Sequence, residues 1–277
     1  MGCDLTNFGL TEMLRCSREL NRAASTAPTM ESSAREICRS LYDQLETDTG
    51  TRACALVRCY KTHAYGDLPS DLQRFARRML GGTERPPETM KCLTMLATAG
   101  EQPAWNSRLR SRGHQAIPLP SPQIAERAPM IAGLIRQFGL DLTQIVNPTP
   151  EVVRNLAGKT YDVFHVENAL GSSAIPAQQE FVVRHDIRSV VGFGGSLASG
   201  DLFAVIFFAH VPVTAETADR FRALALDVKT LFFRFGEELI FDSDGGIEPE
   251  RSESAGSGEV AGTGERGADR SAGSADA

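Results

Sequence analysis

The sequence predicts an α+β protein: an antiparallel sheet flanked by amino- and carboxy-terminal helices and followed by an acidic tail. Three observations predict it. Ile187 to Leu197 and Leu202 to Val211 are rich in Val, Ile and Phe, and Ala198-Ser199-Gly200-Asp201 between them has turn chemistry, so they read as a hairpin. Phe221, Leu224, Val228, Leu231 and Phe235 recur at the spacing of one helix face. Two amphipathic helical stretches stand at the front of the chain, before the first strand-like run.

Leu5 to Ala24 reads as a first helix, with Leu10, Met13, Leu14 and Leu20 as its apolar stripe. A second runs from Pro28 to Glu46, carrying Met30, Ala34, Ile37, Cys38, Leu41, Tyr42 and Leu45 inward. Arg52 to Thr62 reads as a strand apolar on both faces. Cys54, Leu56 and Tyr60 share one face, and Ala53, Ala55, Val57 and Cys59 the other. Arg58 interrupts the first face and needs a partner if buried. A helix over Ser70 to Leu80 turns Leu72, Phe75, Ala76 and Met79 inward and stops at Gly81-Gly82. Thr89 to Ala99 is a further strand, and His114 to Leu119 a short one. Ser121-Pro122 opens a helix lined by Ile124, Ala128, Ile131, Ile135 and Phe138, with a kink at Pro129. Leu140 to Thr160 carries no clear period beyond a short helix after Pro150, and Val163 to Val166 reads as a short strand. Thr214 caps the last helix, with Glu216 in its first turn.

The 277 residues and 42% apolar content suffice for one core with helical additions. Three segments are expected: a helical element over 1–50, a sheet domain over 51–241, and a disordered acidic Gly/Ser/Ala-rich tail over 242–277. The tail holds no aromatic residue after Phe241 and carries nine acids against three bases, which accounts for the whole net charge of −6. The remainder is formally neutral, so no basic footprint for nucleic acid is expected. Six cysteines, none in a C-x-x-C pair, read as reduced thiols used as small hydrophobes. No apolar run is long enough to span a membrane, and the Met-Gly-Cys start reads neither as a secretory signal nor as a lipidation site. A cytoplasmic protein is expected.

The order of helices, strand, helix, strand, long insert, hairpin and helix resembles that of GAF domains. KCLTMLATAGEQPAWNSR, residues 91–108, looks like the GAF strand ending in a small-residue turn and a Trp-containing segment. The run from Val163 to Phe208 looks like the family's back half, and ALALDVKTLFF lies in its closing helix. The specific likeness is to the GAF-like sensory units at the front of bacterial histidine kinases and related signalling proteins, and RSVVGFGGSLASGDLFAVIFF carries it most closely. It implies a six-stranded or similar antiparallel sheet with the terminal helices on one face, a small-molecule pocket on the other, and homodimerisation through those helices. The cyclic-nucleotide residue set and a bilin-attachment cysteine are not recognisable. No kinase, cyclase or DNA-binding segment follows Phe235, so either the output partner, such as a histidine kinase, is expected on another chain, or there is none.

Catalytic motifs are not found, and an enzyme is not expected. Gly192-Phe193-Gly194-Gly195 lacks the later glycine of a dinucleotide loop and reads as strand with close backbone packing. Ser196 is not in a Gly-x-Ser-x-Gly elbow, because Ala198 takes the last place. The five histidines show no zinc spacing, and no metal is expected. The cofactor is unknown. Candidate ligand residues are Trp105, His165, Arg188, Phe193, Phe203 and Phe207, around a cavity between the sheet and a Trp105–Val166 insert. His165 reads either as a ligand or haem contact or as a structural histidine. Arg188 reads either as an anion fork or as a surface partner of Asp186 or Glu180. The seam of Phe221, Leu224, Val228, Leu231 and Phe235 reads as internal packing, a dimer interface, or both. Two other readings stay open: a ligand-free dimerisation scaffold, and a redox protein using Cys54, Cys59 or Cys92.

Overall fold

Alternation of side chains along two central strands organises the molecule. A computed structural model describes residues 2–82, 85–111, 113–126, 128–146 and 162–242. Strand β1 (Cys3–Asp4) precedes helices α1 (Leu10–Ala24) and α2 (Met30–Gln44), and β2 (Leu45–Glu46) pairs with β1 in parallel. Strand β3 (Cys54–Ala64), helix α3 (Ser70–Leu80), β4 (Lys91–Gly100) and β5 (Ala116–Leu119) follow. Short helices α4 (Pro122–Ala125), α5 (Pro129–Gln137) and α6 (Leu142–Val146) come next, then β6 (Asp162–Val166), β7 (Ser189–Ser196) and β8 (Leu202–Ala209). Helices α7 (Ala215–Arg220) and α8 (Arg222–Phe232) close the described chain.

The six longer strands form one antiparallel sheet in the order β5-β4-β3-β8-β7-β6. Helices α1, α2, α7 and α8 cover one face, and α5 with the segment around Ile175 covers the other. This is a GAF-like architecture, as the resemblance implies. All eight residues of β8 are buried. Phe203, Val205 and Phe207 point to the helices, and Leu202, Ala204, Ile206 and Phe208 to the other face. Phe221, at the α7–α8 junction, stacks on Phe8 at 4.5 Å and meets Phe207 at 4.9 Å and Phe193 at 5.8 Å. The amino-terminal segment, the hairpin and the closing helices thus share one aromatic cluster.

The glycine run in β7 is close packing, as its sequence suggested. A Cβ at Gly194 would fall 2.1 Å from the Phe203 carbonyl oxygen and 2.9 Å from the Phe138 ring. No side chain fits there, and Phe138 packs on bare backbone.

Several expectations change. α1 starts at Leu10, and its inward stripe is Cys16, Leu20 and Ala24; Leu10 and Leu14 are 67% and 51% exposed. Bulges reset the alternation of the central strands. The β3–β8 register shifts between Cys54 and Leu56, so Cys54 joins the helix face while Ala55 and Leu56 share the other. Met79 is half exposed rather than inward. Pro129 starts a new helix instead of kinking one, because proline at a first turn needs no N–H donor, and Ile124 is left 40% exposed. The helix expected after Pro150 lies outside the described residues, as does the tail beyond Asp242. Asp242 itself is held by Arg35 at 2.6 Å, and its N–H donates to Glu31 at 3.1 Å.

Asp201 fastens the hairpin turn to the ends of β3 and β4. Its carboxylate accepts from Lys61 and Lys91, each at 2.9 Å, and from Thr62 at 3.3 Å. Burial works to raise this carboxyl, but the two ammonium groups overcome it and hold it at about 2. The carboxyl's ordinary value is 3.8, so the stabilisation is complete above that pH and is lost as pH falls from there towards 2. Asp201→Asn is expected to lower stability near neutrality by about 2 kcal/mol. It should also flatten the loss of stability below pH ~4, as followed by urea denaturation. An unchanged acid limb would contradict the clamp.

Candidate functional site

On the sheet face away from the terminal helices lies a cavity of about 470 Å³. Arg58 and Tyr60 of β3, Leu93 of β4, Ile117 of β5, and Ala204, Ile206 and Phe208 of β8 make its floor. Residues 129–131 and Leu134 of α5, with residues 175–177 and Phe181, form the roof. Trp105 and Met79 stand at its sides. The volume and the mainly apolar lining suit one small molecule.

Sequence explains the roof. Ser121 caps α4 and Pro129 sets the first turn of α5, so a new short helix begins where the chain crosses the cavity. Trp105 is positioned by a helical turn over Pro103–Asn106, which Asn106 ties to Gly100 by two hydrogen bonds, at 3.0 and 2.8 Å. The indole packs on His185 at 4.6 Å and edge-on to Phe181 at 5.8 Å, and Phe181 is edge-on to Phe208 at 4.9 Å.

The polar groups gather at one end. Arg58 reaches from the floor, and its Nη2 lies 3.5 Å from the Ser111 hydroxyl. Its Nε is buried with no hydrogen-bond partner among the described residues. Burial raises the Tyr60 hydroxyl despite the neighbouring guanidinium, so it stays protonated. Burial, with a further push from Arg58, lowers His114. His114 is therefore a neutral imidazole at neutral pH, with one donor and one acceptor. It sits at φ 62°, a left-handed conformation that His tolerates better than most residues. One fixed cation, one phenol and one neutral imidazole thus meet an apolar chamber. That arrangement can hold a molecule with an apolar body and an anionic or strongly accepting end. The constellation contains no nucleophile–base pair, and no group of three metal-binding side chains occurs among the described residues.

Of the expected site residues, only Trp105 lines the cavity. Phe193, Phe203 and Phe207 are fully buried on the opposite face, against α8 and Phe221, because their positions alternate away from the floor. Phe208, their neighbour, takes the role. His165 also turns away, and its Nε2 meets the Val213 carbonyl at 2.7 Å, which is the structural alternative. Arg188 is exposed and pairs with Asp186 at 2.8 Å, which is its surface alternative. The seam packs within the chain: Phe221, Leu224, Val228 and Leu231 are buried in the core shared with α1 and α2, and Phe235 packs partly against it. Arg58, Tyr60 and His114 were not expected as site residues, although Arg58 breaking an apolar strand was a signal for them.

No protein-family model matches the chain, and no curated protein matches it. Several solved structures resemble it loosely, two of them as follows. The phycoerythrobilin-bound GAF domain from a cyanobacterial phytochrome has a TM-score of 0.39 and 9% identity, covering 79% of this chain and 93% of that one. The N-acylhomoserine lactone-dependent LuxR family transcription factor CepR2 from Burkholderia cenocepacia has a TM-score of 0.34 and 13% identity, covering 80% of this chain and 92% of that one. At such values neither likeness transfers a ligand or a role, and the cavity is read from its own residues.

Trp105 is the single tryptophan of the chain, so it reports occupancy directly. Decanoate, an apolar chain with a carboxylate, is expected to change Trp105 emission saturably. Arg58→Gln should weaken that binding about tenfold, or ~1.4 kcal/mol. Uncharged decanol should bind wild type and variant alike. Emission that ignores decanoate, or equal affinity in the variant, would contradict the site.

Proposed function

We propose that this chain is a non-catalytic, GAF-like regulatory module. It binds a small amphipathic molecule in the Arg58 cavity and passes its occupancy to the terminal helices. The carrying observation is that the floor strands have their other face against those helices. In β8, Ile206 and Phe208 line the cavity while Phe203 meets Phe232 at 5.8 Å and Phe207 meets Phe221. In β3, Arg58 and Tyr60 face the cavity while Val57 and Cys59 face α2.

A polar route runs alongside. Ser111 touches Arg58, and three residues earlier in the same loop Arg108 donates to Glu31 in the first turn of α2 and to Asp71 of α3, both at 2.9 Å. Glu31 also accepts from the Asp242 N–H where the chain leaves the core. Burial works against the Arg108 charge, but Glu31 and Asp71 more than restore it. A ligand that engages Arg58 would therefore pull on a loop already tied to both ends of the helical layer. Transmission requires the ligand to prefer one helix arrangement over another.

In this reading the partner is a second copy of the chain together with a signalling protein, such as a bacterial histidine kinase of a two-component system, acting in the cytoplasm. No helix among the described residues is long and apolar enough to cross a membrane. All six cysteines are buried free thiols, which suits a reducing compartment. The seam stripe of α8 is used internally, so a second copy would meet the other stripe. There Leu226 and Phe233 are 52% and 77% exposed, and Leu226 shares a surface groove with Leu10 of α1. The scaffold alternative is less favoured, because the chamber is not filled by the protein's own side chains. The thiol alternative is also less favoured, because burial drives Cys54 and Cys59 far up and Cys92 to about 12.

A spin label at Thr230, exposed on α8, tests both parts. The expected result is a dipolar distance between two copies that shifts when decanoate saturates Trp105. No intermolecular coupling would contradict the dimer, and a distance unmoved by bound decanoate would contradict switching.

A further inference from the structure

We propose a second binding site, for a small oxyanion such as a phosphate or a carboxylate, on the helix face of the sheet at the ends of β3 and β4. A cavity of about 540 Å³ opens there between the strand ends, the β7–β8 turn and the end of α8. His63 faces it. The residue is only 3% exposed, yet among the described residues neither ring nitrogen makes a well-formed hydrogen bond, and the Lys61 backbone offers only a poorly aligned acceptor. A neutral imidazole carries one donor and one acceptor, and leaving both unmade in the interior is costly. Packing alone does not call for histidine here. Its ring neighbour is Phe241, at 5.2 Å and 41°, and an apolar side chain would serve as well.

The surrounding charge selects the ligand. Lys61, Lys91 and Lys229 line the cavity against the carboxylates of Asp67 and Asp201. Asp201 draws the ammonium groups of Lys61 and Lys91 together, each at 2.9 Å. Each ammonium has three donors. Lys61 spends one on Asp201 and one on the Thr62 carbonyl at 3.1 Å. Three ammonium groups against two carboxylates leave the lining cationic, which disfavours a metal ion or an amine, and N–H donors beside a poorly paired imidazole favour acceptor oxygens with negative charge. Burial, reinforced by Lys61 and Lys91, keeps His63 neutral. A bound anion offsets those lysines, so binding raises His63 basicity and strengthens as pH falls. The site lies across the sheet from the Arg58 cavity and stands or falls independently of it.

Histidine-ring NMR of the full chain tests this, with the His63 signal assigned by its loss in His63→Leu. Inorganic phosphate, acetate and glycerol phosphate are titrated separately against chloride at matched ionic strength; the first two report a free anion and the third an esterified one. The expected result is a saturable shift of the His63 ring with at least one of them and titration of that ring at higher pH. Lys91→Gln or Lys229→Gln should weaken the effect at least tenfold. His63→Leu should fold with equal or greater stability. A His63 ring that follows chloride and the oxyanions alike, or that responds equally in both lysine variants, overturns the proposal. So does a His63→Leu protein that fails to fold, since the imidazole would then be a structural group.

Discussion

The contact of Phe221 with Phe8, Phe193 and Phe207 decides which face of the hairpin belongs to the helices. Once the bulky rings of β7 and β8 are committed to that side, strand geometry sends Ala204, Ile206 and Phe208 to the other. Ala204 opposite Gly194 is small, and the roof is built from the short helix α5 with residues 175–177 and Phe181, so the second face is covered without being filled. The cavity is therefore a consequence of where the aromatic volume goes. It is also mechanically tied to the helices, because every floor residue of β3 and β8 has a sequence neighbour in the helical core.

Two clusters of charge sit at the margins of this apolar frame and act differently. Asp201 with Lys61 and Lys91 clamps a turn, and both ion pairs are close, at 2.9 Å. Arg58 has a long contact to Ser111 and an interaction with the Tyr60 hydroxyl, and its buried Nε has no partner among the described residues. A partly satisfied guanidinium inside an apolar chamber is poorly placed for stability alone and well placed for a ligand. The Arg108–Glu31–Asp71 cluster lies between this group and the point where Asp242 leaves the core.

Much of the architecture was legible in the sequence. The hairpin, the second helix, α3 and the Thr214 cap follow from periodicity and end signals that act locally. The face assignments were harder, because strands buried on both sides carry no polar alternation to mark in from out. The bulge near Cys54 then inverts even a correct count. The same problem hid the site. Phe193, Phe203 and Phe207 attract attention by size, but size is what the helix face required. Arg58 did carry a readable signal, a charge inside an apolar strand. Tyr60 and His114 acquire their roles only from the fold, since nothing local distinguishes them from core or loop residues. Leu10 and Leu14 fell in one apolar stripe with Met13 and Leu20, whereas Cys16, Leu20 and Ala24 form the packed stripe.

The central claim is that the face opposite the Phe221 cluster holds a chamber for one small amphipathic molecule. Native mass spectrometry of the full chain with decanoate, comparing wild type with Ala204→Trp, tests it most directly, because the indole would occupy the floor of the chamber. The account predicts one bound molecule per wild-type chain and none on a folded Ala204→Trp chain. Equal occupancy in both, or no bound molecule in either, would contradict it.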